Sequence, residues 1–321
     1  MMRVLALVPG GVGDQLLFFP TLETLKQQYP QAAIDVVVEP RVIGAYKVCP
    51  SVRKVLTFDY KDRNSLADFG NLLGSIRDQE YNAVVSLGQR FSVRFLLWLT
   101  GIPQRVSFAG QGDYLLSQAV PLNTNQYAAA MYHDLLKGFD INVPCPPIKI
   151  NVAKTDIDWA TNEQKRLGIT NGYILIHGGS SALAIKKGID KIYPVDSWVA
   201  IAQDIQEKLP KLPIVILKGP EDAELVSKLT AKLPKALVIS PPDIGKLAAV
   251  IAAANLLLCT DSAPMHLGVA VGTALVALFG PTSPEKLLPL NDPKIKFVKA
   301  PEGKPIAAIA PQDVLAKIWQ D

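Results

Sequence analysis

Three clusters of residues have types and spacings suited to chemistry. Asp261 and Ser262, followed by Ala263 and Pro264, close a short apolar run, Leu256 to Cys259. They open a helix of small apolar residues, Met265 to Val271, that carries His266. Asp or Ser just before a proline is a helix-start signature. A helix start offers unpaired N–H groups and positive potential, which suits a phosphate. His266 lies one turn beyond Ser262 on the same face and could hydrogen-bond a phosphate or a sugar. In the second cluster, Gly10, Gly11, Gly13 and Asp14 follow the apolar run Met1 to Val8. A carboxylate there either caps the following helix or accepts a proton from a bound hydroxyl. In the third, Tyr173 to His177 runs into Gly178-Gly179-Ser180-Ser181 and then a segment carrying Lys186, Lys187 and Lys191. Bare N–H groups, hydroxyls and ammonium groups can together cradle phosphate oxygens.

Other residues carry weaker signals. Glu221 and Asp222 follow the apolar run Leu212 to Lys218. Either could grip ribose hydroxyls, or simply sit at a helix N-terminus. Arg90, Arg94 and Arg105 are a solvated surface or a pocket for an acidic acceptor, using guanidinium forks on phosphate or carboxylate. His177 and the lone His133 read as structural or, for His177, as a ligand contact. Asp156-x-Asp158 has the form of a metal-binding pair, but it opens a helix, where Asp is favoured. No good metal cluster is present, and the glycines near the start lack the GxGxxG dinucleotide form.

The elements that would position these residues alternate regularly. Strands are predicted at Met1–Val8, Ile34–Val38, Val55–Phe58, Tyr81–Leu87 and Arg105–Phe108. Helices are predicted at Gln15–Gln28, Ser65–Arg77, Phe91–Thr100 and Gln126–Phe139. A second alternating set runs from Tyr173 to the terminal helix Pro311–Trp319. Alternation of this kind implies parallel sheets with right-handed crossovers. Ligands then gather at the C-terminal edges of the strands. The Pro-rich stretch Asn142 to Ile150 marks the boundary between domains 1–150 and 151–321. The length, 321 residues, also favours two cores over one.

Composition narrows the class. With 49% hydrophobic and 19% charged residues the chain reads as an ordinary globular protein. A net charge of +4 fits anionic ligands or a membrane surface and is too weak to argue nucleic acid. The three cysteines are scattered and read as reduced thiols of a cytoplasmic protein. No apolar stretch is long enough for a transmembrane helix, and the N-terminus does not read as a signal peptide.

Asp261-Ser262-x-x-x-His266, its small-residue helix and the later Phe279-Gly280-Pro281-Thr282 resemble the lipopolysaccharide heptosyltransferases, glycosyltransferase family 9. So does Gly13-Asp14 followed by Leu16 and Pro20-Thr21-Leu22. The resemblance implies an α/β fold of two Rossmann-like domains facing across a cleft, the GT-B type, with a C-terminal helix that packs back on the N-terminal domain. It implies inverting, metal-independent transfer of a sugar from a nucleotide-sugar, ADP-linked if the sugar is heptose-like, to a glycolipid or glycan acceptor. No cofactor is required. Asp14 would be the general base. Ser180, Ser181, Lys191, Glu221, Asp261, Ser262, Ala263 and His266 would hold the donor, with Lys186 or Lys187 as substitutes for Lys191. Gly13, Arg90 and Arg94 would face the acceptor. A lipid acceptor implies peripheral contact with the inner membrane surface. The competing readings are a nucleotide-sugar epimerase and a non-catalytic nucleotide-sugar-binding protein.

Overall fold

A computed structural model describes residues 1–59, 65–179 and 191–320. The charged loop Tyr60–Asn64 and the candidates Ser180, Ser181, Lys186 and Lys187 lie outside the described residues. The chain divides into two compact units, Met1–Asn151 and Val152–Asp321.

In the first unit, β1 (Arg3–Leu7), α1 (Val12–Gln28), β2 (Ala33–Val38), β3 (Lys54–Thr57), α2 (Leu66–Arg77), β4 (Ala83–Ser86), α3 (Phe91–Leu99), β5 (Gln104–Phe108), β6 (Gln118–Val120) and α4 (Ala128–His133) follow in order. The sheet order is β3-β2-β1-β4-β5-β6, and every pairing is parallel. β2 and β4 are buried throughout and β1 nearly so, as apolar strands covered on both faces must be. Asp35 is the exception inside β2. Arg53 grips it with two hydrogen bonds (2.9 and 2.6 Å) and the Tyr81 hydroxyl donates a third (2.7 Å). A buried carboxylate persists only when paired in this way.

Elements of this unit also depart from the sequence expectation. The helix predicted for Gln126–Phe139 is α-helical only at Ala128–His133 and tightens to a 3-10 helix over Asp134–Phe139. There Gly138 lies so close to β5 that a Cβ would stand 2.5 Å from the Val106 side chain. Strand β6 escaped the sequence reading because it is three residues long and two of them are exposed.

The second unit contains α5 (Lys154–Arg166), β7 (Ile174–His177), α6 (Val195–Lys208), β8 (Ile214–Leu217), α7 (Ala223–Lys232), β9 (Leu237–Ile239), α8 (Ile244–Ala252), β10 (Leu256–Thr260), α9 (Ala263–Val271), β11 (Leu275–Phe279), α10 (Pro284–Leu287), β12 (Ile295–Lys299) and α11 (Pro311–Trp319). Its sheet, β12-β11-β10-β7-β8-β9, repeats the topology of the first in all-parallel form. In both units the strand order reverses beside the first strand, between β1 and β4 and between β7 and β10. Those switch points are where doubly wound sheets open a crevice at the strand ends.

The second core centres on Trp198 and Tyr193, both wholly buried, with rings edge to face at 5.2 Å. Helix α9 lies tight on its sheet because Gly268 leaves room; a Cβ there would meet Leu257 at 2.9 Å and Leu275 at 3.1 Å. Gly272 ends α9 in the left-handed conformation (φ 73°). The terminal helix α11 packs on the core of its own unit. Val314 is fully buried in this second core, and the Trp319 indole donates to Asp204 at 2.9 Å.

Candidate functional site

At the switch point of the first unit, α1 starts three residues earlier than predicted, at Val12. Asp14 is therefore not the cap itself but the third helical residue, reaching back to accept the Gly11 N–H at 2.7 Å. Gly10 makes this geometry possible: its φ is +133°, and a Cβ there would sit 2.3 Å from Asp14 Oδ2. Gly13 is half-buried in the same first turn. The Tyr132 hydroxyl donates to the other Asp14 oxygen at 3.1 Å. Burial, followed by the Asp14 charge, pushes the Tyr132 phenol far above its ordinary value, so it stays a donor. Beneath the loop, Gln15 is fully buried, donates to Val8 O (3.0 Å) and accepts the Tyr46 hydroxyl (2.6 Å). Asp14 is thus a partly exposed carboxylate held at both oxygens on a braced loop.

The second switch point gathers more groups. Lys191 Nζ lies 2.6 Å from Asp261 Oδ2, both side chains largely buried. Ser262 occupies the N-cap position of α9, with Ala263 and Pro264 opening the helix. Yet Ser262 makes no side-chain cap. Its hydroxyl turns instead to Thr260 O (3.1 Å) and to His177 Nδ1 (3.2 Å). The other His177 nitrogen stands 3.3 Å from Asp222 Oδ2. Asp222 also accepts the Gly219 N–H at 2.8 Å. Burial pushes the Asp222 carboxyl up, but the His177 contact and the Gly219 amide outweigh it and hold it below the usual range. The same Asp222 oxygens crowd Gly179, where a Cβ would meet one at 1.9 Å. Asp222 is therefore committed to the fold, and its neighbour Glu221 is the exposed acid of that turn. His266 is buried on α9.

The arginines separate. Arg94 is wholly buried and donates to Phe108 O, Gln111 O and Asp113. It clamps the 108–113 loop, which corrects the expectation that it faces an acceptor. Arg105 likewise donates to Leu115 O and Ile102 O. Arg90 remains exposed at the start of α3, beside the switch point. The Asp156 and Asp158 pair is also structural: Lys246 binds the first and Lys154 the second.

Sequence reasoning missed Tyr132, Gln15, Tyr46 and the joint role of His177 and Asp222. The side chains that pair these residues lie far off in sequence (Tyr132 is 118 residues from Asp14), so no local spacing announces the pairings.

Comparison with known proteins gives this geometry a context. The chain is 22% identical to lipopolysaccharide heptosyltransferase 2 of Escherichia coli (strain K12), over 99% of this chain and 97% of that one. A solved structure described as E. coli ADP-heptose lps heptosyltransferase II superposes with a TM-score of 0.81 at 21% identity, covering 99% of this chain and 97% of that one. The fold is therefore the two-domain GT-B type. The photosynthetic NDH subunit of subcomplex B 1 of Arabidopsis thaliana, a chloroplastic protein, is 23% identical over 89% of this chain. This chain spans 66% of that protein's length. The family model for glycosyltransferase family 9 (heptosyltransferase) matches residues 70–308. That span takes in the whole second sheet with its His177, Lys191 and Asp261 cluster, and on it the chain belongs to glycosyltransferase family 9 (heptosyltransferase).

Proposed function

We propose that the protein is an inverting, metal-independent glycosyltransferase that moves a heptose-like sugar from an ADP-linked donor to the glycan core of a lipopolysaccharide-type acceptor. The observation that carries the reading is the start of α9. It is a helix N-terminus at a switch point that its own serine leaves uncapped, with Lys191 alongside. Such a place favours a diphosphate through helix dipole and fixed charge. The relative's description as an ADP-heptose enzyme supports adenine as the base.

In the proposed reaction, an acceptor hydroxyl oxygen attacks the anomeric carbon while the bond from that carbon to the diphosphate oxygen breaks. Asp14 takes the hydroxyl proton, help of about 10²–10⁴-fold. Negative charge builds on the leaving diphosphate, where Lys191 and the positive end of the α9 dipole stabilise it. Asp261, neutralised by Lys191 in the free protein, is assigned to the sugar hydroxyls, Glu221 to the ribose, and His266 to the sugar or phosphate. Ser180 and Ser181 remain candidates for the diphosphate. Gly13 and Arg90 are assigned to the acceptor side, and contact with an anionic inner membrane surface follows from a lipid-borne acceptor. No described helix is long and apolar enough to cross a membrane.

A second reading, a nucleotide-sugar-binding subunit without turnover, has one support: the chloroplast relative is named as a subunit of an assembly. The care with which Asp14 is held favours the enzyme, since a pure binder needs no base. A thermal-shift panel of ADP, GDP, UDP, CDP and NAD decides the donor. A ligand at about 100 times its dissociation constant adds about 2.7 kcal/mol. ADP standing out supports the proposal, and a response to NAD alone overturns it. Turnover of ADP-heptose in the presence of a core acceptor then separates enzyme from binder.

A further inference from the structure

Helix α3 reads FSVRFLLWL, and its two faces carry different residues. Arg94, Leu96 and Leu97 turn inward and are buried. Phe91, Phe95 and Trp98 recur at the i, i+4, i+7 spacing of a single helical face. They are 44%, 44% and 49% exposed. Their rings lie nearly parallel, Phe91 on Phe95 at 6.4 Å and 8°, Phe95 on Trp98 at 5.9 Å and 20°. Single exposed apolar residues are ordinary, but a continuous row of rings is not. Tyr114, 79% exposed, stands on the turn whose Gly112 abuts that row; a Cβ on Gly112 would lie 3.0 Å from the Phe91 ring. The outer face of α3 carries no charge, because the only charged residue of the helix is the buried Arg94. Exposed arginines bracket it instead: Arg90 precedes the helix, and Arg77 donates to Leu99 O at 2.6 Å at the other end. The one acid of the 110–114 turn, Asp113, is paired with Arg94. β1 and β4 are paired neighbours, so α1, with Asp14, and α3 start on the two sides of one switch point.

We propose that the outer face of α3 is a membrane-docking surface: Phe91, Phe95 and Trp98 enter the boundary between headgroups and acyl chains of an anionic bilayer, with Arg77 and Arg90 at the level of the lipid phosphates. The inference rests on the reading of the acceptor as lipid-borne and adds the face that meets the lipid. Trp and Phe on one face with Arg at its margins is the composition of helices that lie in a bilayer interface. The shape also favours lipid over protein. An aromatic anchor in a protein interface fills a pocket of its partner. Rings stacked along about 10 Å of helix form a ridge instead, which a fluid interface accommodates without a matching groove. Three half-exposed rings offer about 300 Å², well short of the roughly 800 Å² that each partner gives to a stable dimer. Continuity completes the argument. The row begins at Phe91, next to Arg90, at the rim of the crevice that Asp14 approaches from the α1 side. A glycan whose lipid lies in the bilayer under α3 is thus delivered to the same sheet edge as the base.

The test is partition of the whole chain onto vesicles of phosphatidylethanolamine and phosphatidylglycerol, read by co-sedimentation at low salt. The double variant Phe95→Gln, Trp98→Gln keeps good helix formers on the exposed face. It is expected to lower the partition coefficient at least about tenfold with the melting temperature unchanged. Phe95→Tyr with Trp98→Tyr keeps the rings and should partition within about threefold of the unmodified protein, which guards against a loss caused by misfolding. Fluorescence gives a second reading: vesicles should shift the tryptophan emission to the blue, and Trp98→Phe should abolish that shift while binding persists. Absence of vesicle binding by the unmodified protein, or equal partition of the double Gln variant, overturns the proposal. So does concentration-dependent self-association that the same variant abolishes, since the row would then join two copies of the chain. The two readings fail separately. Turnover of a lipid-free acceptor glycan without vesicle binding removes the docking face alone; vesicle binding through α3 without turnover of any acceptor removes the transferase reading and leaves the docking face standing.

Discussion

Lys191 and Asp261 meet at 2.6 Å beside the start of α9, with the aspartate side chain only 5% exposed. Under the proposed function, the pairing lets a carboxylate stand at a diphosphate site without repelling it: the ammonium that pairs with Asp261 would be shared with the bound diphosphate. Removing one partner of a buried pair costs about 3–5 kcal/mol because the other charge is left stranded, and the partial exposure of Lys191 puts this case at the low end. Lys191→Ala should therefore lower the melting temperature and also weaken nucleotide-sugar binding at least tenfold. Adding Asp261→Asn to it should restore most of the stability but little of the binding. Equal losses of binding and stability in every combination would show the pair to be structural only.

Asp14 and Tyr132 give a test of the chemical step. Asp14→Asn keeps the shape and one acceptor for the Gly11 N–H but removes the base. A fall in kcat of about 10²–10⁴-fold is expected, with donor affinity unchanged in a calorimetric titration. Tyr132→Phe leaves the carboxylate in place but frees one oxygen to wander, so a smaller loss of about tenfold is expected. Turnover of Asp14→Asn within about threefold of the unmodified enzyme would remove the base assignment.

Gly10 supplies an independent handle on the same carboxylate. Alanine there must adopt φ near +133° and bring its Cβ to 2.3 Å from Asp14 Oδ2. Strain of this type costs about 1–3 kcal/mol, and the loop can relieve it only by pushing the carboxylate aside. Gly10→Ala should thus reduce kcat by more than its modest loss of stability suggests, while nucleotide binding in the second unit is untouched. A variant with full turnover would mean that the Asp14 position is not needed.

How much of this was legible beforehand follows from the range of the forces involved. The strands β1, β4, β7 and β10 announce themselves because apolar runs bounded by glycine and polar residues are local signals, and α9 because Ser262, Pro264 and Gly272 are local too. Glu221 and Asp222 could not be told apart in sequence; burial separates them, and burial is decided by His177, which is 45 residues away by number from Asp222. Arg94 misled for the same reason. On a helical wheel it shares a face with Arg90, but the partners that swallow its guanidinium, Phe108 O, Gln111 O and Asp113, arrive from a later loop. Residue type gave candidate chemistry; long-range contacts decide which member of each pair is buried in the fold and which is exposed.

His133 offers a prediction on stability in the first unit. It is 5% exposed at the end of α4, and its Nε2 lies 2.9 Å from the Thr24 hydroxyl on α1. Burial pushes the imidazole below its ordinary value; the nearby Asp134 opposes this and Lys137 adds to it. The sign follows from linkage. In the unfolded chain the ring takes up a proton near pH 6.5, whereas the folded protein holds it neutral to lower pH. Above that value neither state binds the proton and stability is full. As pH falls below it the unfolded state gains protons first, and stability declines by at most about 1.4 kcal/mol per pH unit until the folded-state ring also titrates. Urea unfolding of the intact chain at intervals from pH 7.5 to 5 should show this decline. His133→Gln keeps a hydrogen-bonding partner for Thr24 but cannot titrate, so its profile should be flatter, with His177 and His266 common to both proteins and cancelling in the comparison. Parallel profiles would mean that His133 is solvated well enough to charge in place, and that the α1–α4 contact does not depend on its neutrality.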